Sequence, residues 1–430
     1  MLAVLGSSWA LLFGIMLLML GNGIQGTLLG IRGGIEGFST FEMSIVMSAY
    51  FAGFLGGSRL TPEMIRRVGH IRVFAALGSF TSAILILFPA ITEPWAWILL
   101  RVFIGFCFSG IYVTAESWLN NSVENDNRGK ALSLYVIVQM AGIISAQGIV
   151  SLGDPSGFIL FIVPSVLVSL SFAPILLSIS PTPAFERTQP MTLIELWGVS
   201  PLGCVGMFLL GGMFSAMFGM SSVYGTESGF TVAQISLFIA LIYTGGLVMQ
   251  YPIGFLSDRM DRRLLILVVS AIGGVAALVG LALGSSFVVV LAASFIVGGT
   301  ANPLYALLLA YTNDFLDFDK MAGASGGLLF INGIGAVTGP LITGWMMTTV
   351  GPRGFWLFVA ILMLGLASYA IWRTFRRPVI TPVEETVAYA PVLPTASPVA
   401  LQVAEEYYAD SVEDIVSDSA TIETDREATS

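Results

Sequence analysis

Apolar stretches long enough to form membrane-crossing helices recur twelve times along this chain of 430 residues. A helix needs about twenty predominantly apolar residues to cross the ~30 Å hydrocarbon core of a bilayer. The predicted spans are 8–31, 42–60, 71–91, 95–119, 130–152, 157–179, 200–222, 231–253, 264–284, 286–311, 323–348 and 354–374. This pattern predicts an all-α integral membrane protein with twelve transmembrane helices.

The distribution of charge separates a membrane body from an acidic tail. Charged residues make up 10% of the chain and hydrophobic residues 56%, whereas a soluble domain carries about 25% charged residues. Eleven of the 27 acidic residues but only one of the 18 basic residues lie from Val379 onward. We predict a disordered acidic tail over 379–430. The tail is either simply solvated, a docking site for a partner or an autoregulatory segment. Its charge argues against a nucleic-acid partner.

The basic residues predict the orientation of the chain. With a cytoplasmic N-terminus, the outer loops hold only Arg32 and Arg353. The inner loops then hold fourteen: Arg59, Arg66, Arg67, Arg72, Arg128, Lys130, Arg187, Arg259, Arg262, Arg263, Lys320, Arg373, Arg376 and Arg377. Such a bias toward one side is typical of cytoplasmic loops. We therefore expect a multi-pass protein of a bacterial cytoplasmic (inner) membrane with both termini in the cytoplasm.

The two halves of the chain echo each other at an offset of about 192 residues. Tyr112 corresponds to Tyr305 and Asn120 to Asn313, and a basic loop follows the second span of each half. The repeat predicts an N-terminal six-helix bundle over 1–180, a cytoplasmic linker over 181–199 and a C-terminal six-helix bundle over 200–378. Duplicated bundles are typical of alternating-access carriers, whose solute site lies between the halves.

Several motifs in the chain resemble those of the major facilitator superfamily. The stretch Gly254-Phe-Leu-Ser-Asp258-Arg259-Met-Asp-Arg262-Arg263 is similar to its G-x-L-a-D-R-x-G-R-R signature, with Asp261 in place of the second glycine. Leu99-Leu-Arg101-Val-Phe-Ile-Gly105 is similar to its R-x-x-x-G element, and Gly335-Ala-Val-Thr-Gly339-Pro340 to its G-x-x-x-G-P element. The fifth span lacks this last element, which marks many drug/proton antiporters. Ala115-Glu116-Ser117-Trp118-Leu119-Asn120 followed by Asn127-Arg128-Gly129-Lys130 resembles the YcaD-like branch. The resemblance, over about residues 1–378, implies the major facilitator fold and secondary transport.

The resemblance also implies that the first, fourth, seventh and tenth spans line the central cavity. The polar or amphipathic residues on these spans are Asn22, Gln25, Arg101, Tyr112, Ser215, Asn302 and Tyr305, and weaker candidates on flanking spans are Gln139, Tyr243 and Asn332. An ionisable group in hydrocarbon is costly and needs a reason. Arg101 is either an anchor for an anionic solute group, a partner in proton coupling or a structural arginine bonded to carbonyl groups.

The gate at the inner side has its own candidates. The resemblance places Asp258, Arg259 and Arg262 where the inner ends of the halves close. In the first half Arg66 stands where the family has an aspartate. Glu116 is then a gate residue paired with Arg66 or Arg67, a buried proton carrier or a solvated interfacial acid.

The remaining residues argue against other functional classes. The chain has no Gly-x-x-x-x-Gly-Lys loop, and no soluble segment is large enough for an ATPase. Its single histidine and two cysteines predict neither a catalytic cluster nor a metal site, and we expect no cofactor. We predict a monomeric secondary transporter, not an enzyme, that moves a small solute and is coupled to protons. The alternative is a membrane-embedded sensor or enzyme without transport activity.

Overall fold

Long helices account for nearly all of the described chain. The computed structural model describes residues 2–121, 128–177, 191–376, 389–402 and 404. The helices are α1 (Leu2–Ile35), α2 (Thr40–Val68), α3 (His70–Leu87), α4 (Pro94–Asn121), α5 (Arg128–Leu152), α6 (Ile159–Leu177), α7 (Leu193–Val199), α8 (Pro201–Ser215), α9 (Ser221–Glu227), α10 (Val232–Ser257), α11 (Arg262–Leu283), α12 (Phe287–Asn313), α13 (Phe318–Val350) and α14 (Gly354–Arg376). A π-helical turn, Ala216–Met220, joins α8 to α9, so these two form one span.

Among the residues that the structure describes, ten spans are both long and apolar enough to cross a bilayer. The two other long elements in the described ranges are α2, with 29 residues, and α6, with 19 residues. Helix α2 carries several charged residues, and the apolar stretch of α6, Ile159–Pro174, is shorter than the ten spans. The all-α membrane fold is confirmed, and crossing of the bilayer by α2 and α6 stays a prediction.

The inner end of α2 differs from the sequence prediction. We expected the second span to end near residue 60 and a basic loop to follow, but α2 continues to Val68 and places Arg66 and Arg67 on its last turn. His70, expected in that loop, begins α3 and is buried. The helix continues because Thr61–Val68 contains good helix formers, and Pro62 is tolerated within it.

Glycine pairs bring two helices of each half into backbone contact. In the first half a Cβ built on Gly53 or Gly105 would overlap the backbone of the facing helix, at Val102 or Tyr50, respectively. In the second half Gly245 and Gly298 stand in the same relation to Phe295 and Ile242. Small residues allow such close approach in membranes, where packing rather than hydrophobicity drives helix association. The α2–α4 crossing is thus repeated by α10–α12 at the spacing seen in the sequence.

The outer ends of the two halves are packed against each other. A Cβ on Gly30 of α1 would overlap Ser222 of α9, and one on Gly344 of α13 would overlap Ser44 of α2. The Ser48 hydroxyl of α2 donates a hydrogen bond of 2.6 Å to the carbonyl oxygen of Val337 on α13. On the orientation predicted from the basic residues, these contacts close the outer side, as in an inward-facing carrier.

Part of the tail lies inside the molecule. Residues 389–402 were predicted to belong to a disordered tail, yet Ala390, Val392, Leu401 and other members of this stretch are buried. The reason lies in local composition, since 386–404 contains no charged residue although acids flank it on both sides. The prediction of disorder is therefore wrong for 389–402, and 379–388 and 405–430 lie outside the described residues.

Part of the predicted linker is also helical. Within 191–199, Thr192 caps α7 by accepting a hydrogen bond from the backbone N–H of Glu195, whose side chain accepts one from Thr192 in return. Ile194 and Trp197 of this helix are exposed. Residues 181–190 of the predicted linker lie outside the described residues. The boundaries of the predicted domains stay predictions.

Candidate functional site: a cavity between the two halves

Polar side chains from five helices converge on one cavity between the halves. Asn22 of α1, Tyr112 of α4, Gln139 of α5, Tyr243 of α10 and Asn302 of α12 all line it. The halves meet here because α1, α4 and α5 belong to the first bundle and α10 and α12 to the second. All five residues are sequence candidates, and the structure brings them together.

Two amide oxygens in this cavity lack a donor. The Asn22 amide donates to the Tyr112 hydroxyl at 3.2 Å, and the Asn302 amide donates to the carbonyl oxygen of Gly298 at 3.1 Å. Within the described part of the chain, Asn22 Oδ1 and Asn302 Oδ1 have no hydrogen-bond partner and are buried. Buried polar atoms are normally paired, and an unpaired one marks a site that warrants a functional explanation. Both oxygens are suited to accept hydrogen bonds from a solute.

An aromatic wall adjoins these polar groups. Tyr50, Phe51 and Phe54 of α2 and Phe214 of α8 line a neighbouring cavity together with Asn332 of α13. Phe218, on the π-helical turn, lines the polar cavity, and its ring centroid lies 5.9 Å from that of Tyr50. π-Helical turns occur frequently at functional sites. Sequence reasoning missed this wall because aromatic residues inside a span resemble lipid-facing ones.

Arg101 and Gln25 form a buried pair away from both cavities. Arg101 Nη1 donates to Gln25 Oε1 at 3.1 Å, Nη2 lies 3.4 Å from Met47 Sδ, and the guanidinium sits 4.7 Å from the Tyr50 ring centroid. Arg101 is fully buried, and no described carboxylate forms an ion pair with it. Arg101 Nε, Gln25 Nε2 and the Tyr50 hydroxyl have no partner among the described residues. Arg101 therefore bonds side chains, not the helix carbonyl groups considered from the sequence.

Glu116 is buried within α4 and has no basic partner among the described residues. It is 3% exposed. The Tyr135 hydroxyl donates to Oε1 at 2.8 Å and the backbone N–H of Ser397 donates to Oε2 at 3.0 Å. The predicted pair with Arg66 or Arg67 is not formed, because both arginines bond Glu63 on their own helix. Extension of α2 past residue 60 explains this, since it places Glu63 within one helical turn of the arginines.

The other candidates on the lining helices lie elsewhere. Ser215 donates to the carbonyl oxygen of Gly212 at 3.0 Å and lies where a Cβ on Gly339 would overlap it. Tyr305 is fully buried and borders neither cavity. Asn332, which borders the aromatic cavity, donates to the carbonyl oxygen of Met207 at 3.0 Å. The side chains of Ser215 and Tyr305 are thus packed inside the protein and line neither of the two cavities.

The inner-gate candidates of the second half form a charged cluster. Arg262 bonds Asp314 and Ser257 and lies 3.5 Å from Asp258 Oδ1. Arg259 stacks on the Phe255 ring at 3.6 Å. Burial raises the pKa of Asp258, although the Tyr389 N–H and the Arg262 guanidinium act in the opposite direction. The signature thus ties α10, α11 and α12 together at their inner ends.

Comparisons with known proteins agree with this architecture. The family model described as Major Facilitator Superfamily matches residues 11–231 and 202–402. A relative from Yersinia enterocolitica, named "Uncharacterized MFS-type transporter YE1530", is 26% identical over 86% of this chain and 95% of its own length. The "Uncharacterized MFS-type transporter YcaD" of Escherichia fergusonii is 28% identical over 81% of this chain and 91% of its own.

Solved structures share the fold. A point mutant of the nucleoside transporter NupG has a TM-score of 0.72 at 18% identity and covers 85% of this chain and 99% of its own. A bacterial homolog of the human lysosomal transporter Spinster, titled as inward-facing and unoccupied, has a TM-score of 0.62 at 14% identity. It covers 94% of this chain and 98% of its own. At these identities the likeness concerns the fold alone.

Proposed function

The chain belongs to the major facilitator superfamily, and on that premise we propose that it moves a small solute across the cytoplasmic membrane by proton-coupled alternating access. It is a membrane transport protein, not an enzyme. The observation that carries the proposal is the polar cavity between the halves, closed on the outer side by packing of α1 on α9 and of α2 on α13. Such a site at the interface of two bundles becomes exposed to either side when the bundles rock.

Glu116 supports coupling to protons. A carboxylate at membrane depth is costly when ionised and without a cation, and protonation removes that cost. Tyr112, one helical turn away on α4, bonds Asn22 in the solute cavity. The Glu116 carboxylate, which would take up the proton, therefore lies next to the groups that would contact solute. We assign Glu116 as the proton carrier and leave Asp258, Arg259 and Arg262 as gating residues.

The cavity lining supports a small solute that is amphiphilic or weakly charged. Aromatic rings from α2 and α8 supply stacking surfaces, and two buried amide oxygens supply acceptors. Among the described residues no basic side chain lines either cavity, which disfavours a sugar phosphate. Arg101 lies behind this wall, with its guanidinium 4.7 Å from the Tyr50 ring centroid, and its role as an anchor for an anionic solute group or as a partner in proton coupling stays a prediction.

The test is solute flux in proteoliposomes with and without an imposed pH gradient. A panel of labelled solutes that includes uridine and neutral aromatic amides is used to find a transported compound. Glu116→Gln keeps the size of the side chain and one of its two acceptor oxygens but cannot ionise. We expect it to abolish accumulation driven by the pH gradient while downhill flux continues, because only the coupling step needs the proton. Glu63→Gln, at an exposed inner position, is the matched control and should transport normally.

Two results would count against this proposal. Gradient-driven accumulation by Glu116→Gln at the normal rate would remove Glu116 as the proton carrier. Flux that does not respond to a pH gradient even in the unsubstituted protein would remove proton coupling altogether.

We further propose that both termini lie in the cytoplasm, as the basic residues predict, and that the protein is a monomer. Topology reporters fused after Pro155 and after Gly351 should then read as periplasmic, and one fused after Arg377 should read as cytoplasmic. A periplasmic reading after Arg377 would contradict both the orientation and the twelve-span topology.

A further inference from the structure

A segment of the chain's own tail fills the inner entrance of the cavity. We define the tail segment as residues 389–402 together with Ala404, which follow α14 after a tether of residues 377–388. Val392 is 2% exposed, Ser397 1% and Leu401 1%. The tail segment therefore lies within the molecule and not along its surface.

The tail segment contacts the first half at two places. Leu393 packs against Val136 and Met140 of α5. Four residues further on, the backbone N–H of Ser397 donates to Glu116 Oε2 at 3.0 Å. One of these contacts is apolar, and the other supplies a hydrogen bond to the buried carboxylate that we assign to proton coupling.

The tail segment also contacts the second half, on α10 and just beyond it. Gln250 donates to the Tyr389 hydroxyl at 2.9 Å, and the Tyr389 N–H donates to Asp258 Oδ1 at 2.8 Å. A Cβ on Gly254 would lie 2.7 Å from the Tyr389 ring, so this glycine of the family signature leaves room for the ring. The tail segment thus bridges both halves.

The tail segment reaches the solute cavity itself. Leu393 and Thr395 line the same cavity as Asn22, Tyr112 and Asn302. Pro394 and Thr395 also border the aromatic cavity. The position expected for a solute is therefore partly filled by the protein's own chain.

The sequence of the tail segment suits this position. It contains no charged residue, whereas acids lie before it at Glu384 and Glu385 and after it from Glu405 onward. Its prolines restrict the backbone in advance, which lowers the entropy lost on docking. Locally, the Ser397 hydroxyl accepts from the N–H of Val399 at 3.1 Å, which starts a helical turn.

We propose that the tail segment is an intrachain plug that binds in the cavity between the halves and excludes solute from it. Because the plug is tethered by only twelve residues, its effective concentration is on the order of millimolar, so modest contacts suffice for docking. Transport then requires the plug to leave, which makes the tail an autoinhibitory element. This inference rests on the proposed function in that the cavity is taken as the solute path.

The first arm of the test is a disulfide between the plug and its site. The full chain carries Met140→Cys and Leu393→Cys with Cys107→Ala and Cys204→Ala, and the cross-linked peptides are identified by mass spectrometry after oxidation in membranes. We expect the disulfide to form because the two side chains are in one apolar cluster. In the control, Leu393→Cys is combined with Leu152→Cys at the last residue of α5. These two cysteines should not cross-link.

The second arm measures whether the plug shields the cavity. A single cysteine at Gln139, which lines the cavity and is 4% exposed, is labelled with a membrane-permeant maleimide. Leu393→Asp places a carboxylate in an apolar contact and should release the plug. We expect the labelling rate to rise at least about tenfold, equivalent to ~1.4 kcal/mol of docking free energy. The control Ala420→Asp adds the same charge to the acidic run and should leave the rate unchanged.

Each arm of the test bears on a different part of the proposal. Absence of the Met140–Leu393 disulfide would overturn docking, and equal labelling rates for Leu393→Asp and Ala420→Asp would overturn the shielding role. Size-exclusion profiles of both variants establish that the membrane body is intact. Neither arm needs a transported solute, so failure of the plug would leave the proposed transport function standing.

Discussion

Gly105→Ala is expected to lower the stability of the folded protein by about 1–3 kcal/mol or more, the range typical of overpacking. A methyl group at this position would overlap the backbone carbonyl of Tyr50, and backbone cannot move aside as a flexible side chain can. Helices α2 and α4 would have to separate along their length. Tyr50 on α2 and Tyr112 on α4 would move with them, so loss of the cavity geometry should accompany the loss of stability.

The measurement is the midpoint of thermal aggregation of detergent-solubilised protein, followed by fluorescence-detected size exclusion. The matched control is Gly56→Ala on α2, where a Cβ would meet nothing within 4 Å. The control should be neutral or slightly stabilising, because alanine favours a helix over glycine by about 0.5–1 kcal/mol. Gly298→Ala, in the repeated crossing of the second half, should behave like Gly105→Ala. Equal midpoints for Gly105→Ala and Gly56→Ala would show that the close crossing does not limit stability.

The fold was predictable in the regions where hydropathy alone determines the structure. Hydropathy over about twenty residues marked the helices because a lipid-exposed backbone must satisfy its own hydrogen bonds. The inner end of α2 was missed because beyond residue 60 the chain leaves the apolar window while the helix continues to Val68. A hydropathy window therefore marks the part of a helix that lies in the bilayer and not the full length of the helix.

The site was predictable only in its polar part. Asn22, Tyr112 and Asn302 stood out because polar groups are rare in hydrocarbon, and the structure brings them together in one cavity. Phe51 and Phe54 gave no signal, since an aromatic ring is equally at home against lipid. The pair Glu116–Ser397 joins positions 281 residues apart in sequence, and no local pattern indicates it.

The tail segment was predicted to be disordered because the composition was averaged over too long a stretch of sequence. Over 379–430 the acids and prolines give a disordered composition, which conceals the uncharged stretch 386–404. A charge profile with a shorter window would have separated this stretch from the acidic runs around it. Its partner, however, is a cavity formed by helices that lie far apart in the sequence.

Gly344→Leu is expected to convert the population from inward-facing to outward-facing. In the inward-facing structure a Cβ at Gly344 already overlaps Ser44 of the other half, so a leucine cannot be accommodated while the outer side is closed. In an alternating-access protein the outer ends would then part and the inner ends would come together. The plug would have to leave the inner entrance for this closure. Gly326→Leu, on the same helix at a position with nothing within 4 Å, is the control.

Alternating access is tested by measuring spin-label distances at both ends of Gly344→Leu in lipid nanodiscs. Labels at Ile35 and Glu227 report the outer side, and labels at Val68 and Leu264 report the inner side, all on a cysteine-free background. If the bundles rock as proposed, the outer distance should lengthen and the inner distance should shorten together, relative to Gly326→Leu. An outer distance that lengthens while the inner distance stays unchanged would contradict alternating access.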